Sequence, residues 1–62
     1  MRKPLKIIVK CRGSNFWFCV YGRNGAITST SEMYTRKHNA IKTAQTYIDN
    51  GLNAIIYYRK LS

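Results

Sequence analysis

The period of the apolar residues changes once along this chain, and the change falls at Arg36. Up to Ser31 apolar and polar residues alternate with a period near two. From Arg36 onward Ala40, Ile41, Ala44, Tyr47 and Ile48 recur at offsets 0, 1, 4, 7 and 8. A period of two puts successive side chains on opposite faces of a strand, whereas the second spacing gathers them on one face of a helix. A chain with strands and a single amphipathic helix buries its apolar surface by laying the helix on one face of a sheet.

The segments follow from that switch. Residues 5–12 carry Leu5, Ile7, Val9 and Cys11 on one face and Lys6, Ile8, Lys10 and Arg12 on the other. Gly13-Ser14-Asn15 reads as a turn. Residues 16–21 form a second strand, with Phe16, Phe18 and Val20 opposite Trp17, Cys19 and Tyr21. Asn24-Gly25 favours the positive φ angles of a tight hairpin. Residues 26–31 are a short third strand rich in Thr and Ser. Thr35 is the expected helix N-cap and Gly51 the expected stop. Lys37, His38, Lys42, Gln45 and Asp49 make the polar helix face. Residues 52–60 give a fourth strand, with Ile55, Tyr57 and Arg59 opposite Ala54, Ile56 and Tyr58. Being apolar on both sides, it is expected to be deeply paired rather than a free edge. The expected fold class is α+β, a β-β-β-α-β unit with an antiparallel-rich, two-layered sheet.

With 62 residues the chain holds one domain, residues 1–62, with residues 1–5 expected as a flexible basic extension. A domain of this size has a thin core, for which oligomerisation is a common remedy. Eleven Lys and Arg against two acids leave a net charge of +9. That excess suits DNA, RNA, an anionic membrane or an acidic protein surface, and it excludes an acidic mimic of DNA. A plain solubility surface is the structural alternative.

Catalysis is not expected. His38 is the single histidine, and Glu32 and Asp49 are the only carboxylates. On one helix His38 and Asp49 stand about 16 Å apart at ~1.5 Å per residue, too far for a triad arm. Glu32 is expected to shape the start of the helix, near Arg36 or Lys37. No metal or other cofactor is expected, because Cys11, Cys19 and His38 lack ligand spacing. The two cysteines fall on opposite strand faces and cannot bridge. Cys11 is expected to be buried and Cys19 partly exposed. The apolar run from Leu5 to Val9 is too short for a signal core or a membrane span. A soluble cytoplasmic protein with reduced thiols is expected, bacterial or phage-encoded, with no membrane partner and no small-molecule substrate.

Phe16, Phe18, Asn24, Gly25, Ser31, Glu32, Tyr34 and Lys37 form a pattern: F-x-F, then N-G, then S-E-x-Y-x-x-K, with Ala40 following in the helix. Over roughly residues 6–60 this pattern resembles the YegP-like family. The chain departs from the family in Ile27, one place early in its strand, in Thr43-Ala44 where Gly-Ile is frequent, and in its basic N-terminus. The resemblance implies a homodimer in which two β3-α-β units form one continuous sheet and exchange their last strands. It brings no catalytic residues, since the family's biochemical activity is unassigned.

The open face of the sheet carries the functional reading. With a helix over Phe16 and Phe18, the opposite face presents Lys6, Lys10, Arg12, Trp17, Cys19 and Tyr21, and Arg23 stands at the hairpin. Interleaved rings and cations on a sheet suit single-stranded nucleic acid, by stacking and by phosphate contact. Cross-strand pairing or a dimer seam would use the same aromatics. Arg23 with Arg36, Lys37 and Lys42 forms either a second basic region or an ordinary solvated surface. The expected function is non-catalytic nucleic-acid binding, DNA or RNA, with little sequence specificity. The alternative is a phage- or mobile-element-encoded interaction module that inhibits or modulates a host enzyme or defence complex through an acidic protein surface.

Overall fold

The computed structural model describes residues 3–61. The elements are β1 (Leu5–Arg12), β2 (Asn15–Tyr21), β3 (Ile27–Thr30), α1 (Lys37–Asp49) and β4 (Ala54–Lys60). They form a four-stranded mixed sheet in the order β3-β2-β1-β4, with a single helix. β1 pairs antiparallel with β2, β2 antiparallel with β3, and β1 parallel with β4. The architecture is the α+β unit expected, with one parallel pairing in an antiparallel sheet. That pairing follows from the helix, which carries the chain from β3 at one edge to β4 at the other, beside β1.

Turn chemistry fixes the β1–β2 register. Gly13 has φ +61 and opens a two-residue loop between the paired Arg12 and Asn15. A positive φ at the first loop position alone is the type II′ arrangement, whose twist matches that of the strands. The β2–β3 hairpin is longer than the tight turn expected. The Gly25 N–H donates to the Gly22 carbonyl (3.0 Å) and the Gly22 N–H to the Ala26 carbonyl (2.9 Å). Only Gly25 of the Asn-Gly pair has positive φ, at +85, while the Asn24 side chain accepts the Ala26 N–H at 3.1 Å. Asn24-Gly25 therefore closes a three-residue loop with a bulge.

A second bulge lies in β3. Tyr21 pairs with Ile27 but Val20 with Ser29, so Thr28 is the extra residue. Its hydroxyl donates to the Val20 carbonyl at 3.0 Å. The early position of Ile27 is absorbed here. Beyond β3 the Ser31 hydroxyl accepts the Phe18 N–H (2.9 Å), and Tyr34 exchanges backbone bonds with Phe16 (2.8 and 2.7 Å). Ser31, Tyr34, Asn24 and Gly25 thus all serve the β2–β3 edge.

The core comprises Ile7, Val9, Phe18, Val20, Ala40 and Ala44. Ile7 and Val9 come from β1, Phe18 and Val20 from β2, and the two alanines let α1 lie close on them. Ile41 and Ile48 pack at the margin, and the Tyr47 ring meets Phe18 edge-on at 5.5 Å. The expected helix face is the one turned to the core, with Ala40 and Ala44 buried, Ile41 and Ile48 half-buried and Tyr47 still 42% exposed. Burying side chains such as Ile7, Val9 and Phe18 contributes about 1.5–3 kcal/mol each.

A single residue is expected to set each helix end, and one of the two expectations needs correction. Gly51, with φ +109, donates to the Ile48 carbonyl, and Leu52 donates to that of Tyr47. This is the glycine-terminated C-cap expected. Thr35 is not the N-cap. Arg36 holds that position in extended conformation and makes no side-chain cap bond. The Phe16–Tyr34 bridge keeps the preceding backbone extended, so the helix starts one residue later than a Thr35 cap requires.

Two further expectations are corrected. Cys19 is not partly exposed but 2% exposed, since β2 is an inner strand and small Cys19 sits between bulkier Trp17 and Tyr21. β4 is not deeply paired within the chain: it lies at the sheet edge with β1 as its partner. Ile55, Tyr57 and Tyr58 are all over two-fifths exposed. Of residues 1–5, residues 1 and 2 lie outside the described residues, and Leu5 already belongs to β1.

Candidate nucleic-acid interface

The pairing registers define what lies on the sheet face away from α1. Side chains of directly paired residues share a face. Across β2, β1 and β4 the rows are Tyr21–Lys6–Ile55, Cys19–Ile8–Tyr57 and Trp17–Lys10–Arg59, and Arg12 pairs with Asn15 beyond them. The opposite set, Ile7, Val9, Phe18 and Val20, is the core. Lys6, Lys10, Arg12, Trp17 and Tyr21 thus share one face, as the alternation predicts. Trp17 and Tyr21 are half-buried, while Lys6 and Arg12 are exposed.

Arg23 joins this face from the hairpin. Its Nε donates to the Lys3 carbonyl at 3.0 Å. That bond ties the loop to the start of β1 and fixes one edge of the guanidinium. A depression of about 390 Å³ lies beside it, lined by Lys3, Lys6, Ile8, Tyr21 and Arg23 among others. A second, of about 320 Å³, lies towards the β4 edge and is lined by Lys6, Ile8, Tyr57, Tyr58 and Arg59. Lys6 and Ile8 of β1 line both.

The electrostatics are one-sided. Asp49 belongs to the helix, where its carboxylate accepts a bond from the Gln45 amide at 3.1 Å. Glu32 precedes α1 and is exposed. Neither carboxylate stands in the rows of the open face. One cation is engaged by a ring: Lys10 Nζ lies 5.4 Å from the Tyr21 centroid. Such contacts at exposed sites are worth about 0.5–1 kcal/mol. A phosphate can therefore draw Lys10 off the ring at small cost.

The helix side offers a different arrangement. Lys37 Nζ lies 3.9 Å from the Tyr58 ring and bridges α1 to β4. Desolvation, reinforced by the neighbouring Cys11 thiol, pushes the Tyr58 phenol above its ordinary pKa. Cys11 and Cys19 are both free and buried, on opposite faces of the sheet. His38 is exposed on the helix. Among the described residues no cluster of His, Cys, Asp and Glu is able to hold a metal ion, and no helix is long and apolar enough to cross a membrane.

Sequence reasoning placed the β1 and β2 residues of this face, Ile8 among them, but did not include Lys3, Tyr57 or Arg59. The alternation in residues 54–60 was visible. Which of its two faces joins the basic side depends on the parallel β1–β4 register, which has no local signal. Comparison with protein-family models, with curated proteins and with solved structures finds no match.

Proposed function

We propose that the chain is a non-catalytic nucleic-acid-binding protein with little sequence specificity, and that it binds through the open sheet face. The observation that carries this reading is that Lys6, Lys10 and Arg59 share a sheet face with Tyr21, Trp17 and Tyr57, in rows that hold no carboxylate. Phosphates and base faces are common to every sequence, so a surface built on them discriminates weakly. The proposed working form is a homodimer, supported by the thin core and by the position of β4 at the sheet edge. Its free thiols suit the reducing cytoplasm.

Fluorescence anisotropy of labelled DNA and RNA oligonucleotides tests the reading. Binding is expected at about 50 mM salt. If about four phosphates of a single strand are contacted, a slope of about −0.7 per phosphate weakens binding roughly 50-fold by about 200 mM. Failure of single strands and duplexes alike to bind at the lower salt would sink the proposal. The basic face would then be reassigned to an acidic protein partner.

A further inference from the structure

Resting on the reading just proposed, we infer that the open face takes a single strand rather than a duplex, laid across the β-strands from the β2–β3 hairpin to the β4 edge. One unstacked base enters each of the two depressions that share Lys6 and Ile8.

The first ground is where the rings lie. Tyr21 lines one depression and Tyr57 the other. They belong to β2 and β4, two interstrand spacings of about 4.8 Å apart, and their rows differ by two residues along β1. That places them roughly 10–12 Å from each other. Bases stacked at about 3.4 Å cannot reach both rings as neighbours, so the strand must splay them. Single strands splay readily, and stacking on each ring is worth about 1–3 kcal/mol.

The second ground is shape. The sheet spans three spacings of about 4.8 Å before its side chains are counted, which overfills a major groove about 12 Å wide. A duplex would reach only the tips of the cations and leave both rings unused. The third ground is the placement of charge. Arg23, held at Nε by the Lys3 carbonyl, flanks the first depression, Arg59 flanks the second, and Lys6 stands between them. A backbone crossing in this direction meets a cation at its entrance, its midpoint and its exit.

The test is an anisotropy titration at about 50 mM salt with a labelled 12-nucleotide single strand and the matching duplex. It compares the unaltered protein with Tyr57→Ala and Tyr57→Phe. Tyr57 is 46% exposed, so neither change empties the core. The single strand is expected to bind more tightly than the duplex. Tyr57→Ala should weaken the single strand about 5- to 150-fold and change duplex binding less than about twofold, while Tyr57→Phe keeps single-strand binding. Equal affinity for both nucleic acids, untouched by Tyr57→Ala, overturns the inference and leaves general polyanion binding in place. No binding of either overturns the functional reading along with it.

Discussion

Phe18 shows how one side chain joins the layers of this protein. It is 1% exposed, meets Tyr47 of the helix edge-on, and has its N–H satisfied by the Ser31 hydroxyl rather than by a strand partner. Its place in the core was legible because Phe16, Phe18 and Val20 alternate against Trp17 and Tyr21. The burial of Cys19 was not, because it depends on which strands flank β2. Arg36 is the contrasting residue. It occupies the N-cap without a side-chain bond, and the first helical turn holds no acid to balance the helix dipole. Arg36→Asp should supply both a cap and a favourable charge, worth about 1 kcal/mol. For a domain of this size the thermal midpoint should rise by about 4–8 °C. An unchanged or lower midpoint in a thermal melt would show that Arg36 makes compensating interactions.

Among the elements, the two sheet edges differ. β3 is four residues long, bulged at Thr28, and followed by a segment pinned through Ser31 and Tyr34. Bulges and short length are the usual devices that stop an edge from recruiting another strand. β4 is seven residues long, without a bulge in its pairing to β1, and its outer backbone edge has no strand neighbour among the described residues. Its C-terminal Arg59 and Lys60 are its only charges. This asymmetry supports the proposed homodimer, with β4 as the edge proposed to pair. Light scattering after gel filtration should give twice the chain mass at micromolar concentration; a monomer mass there would contradict the dimer. The strands and helix were legible from periodicity, which is a local signal. The order β3-β2-β1-β4 and the position of β4 at an edge were not, because pairing is decided between segments far apart in sequence.

At the scale of the whole molecule, the helix and the basic surface divide the sheet between them. α1 takes the apolar face, and cations interleaved with Trp17, Tyr21 and Tyr57 take the other. Composition made the net charge of +9 legible at once. Which of the cations share a face with the rings required the registers of β2 and β4 against β1. The central claim, that this face binds nucleic acid, is tested most directly by the fluorescence of Trp17, the single tryptophan. Trp17 shares a row with Lys10 and Arg59, so a strand crossing the face changes its surroundings. Titration with a short single strand at about 50 mM salt should quench the emission, and raising the salt towards about 200 mM should restore it as phosphate contacts are lost. Emission that stays constant throughout the titration at low salt would contradict the claim.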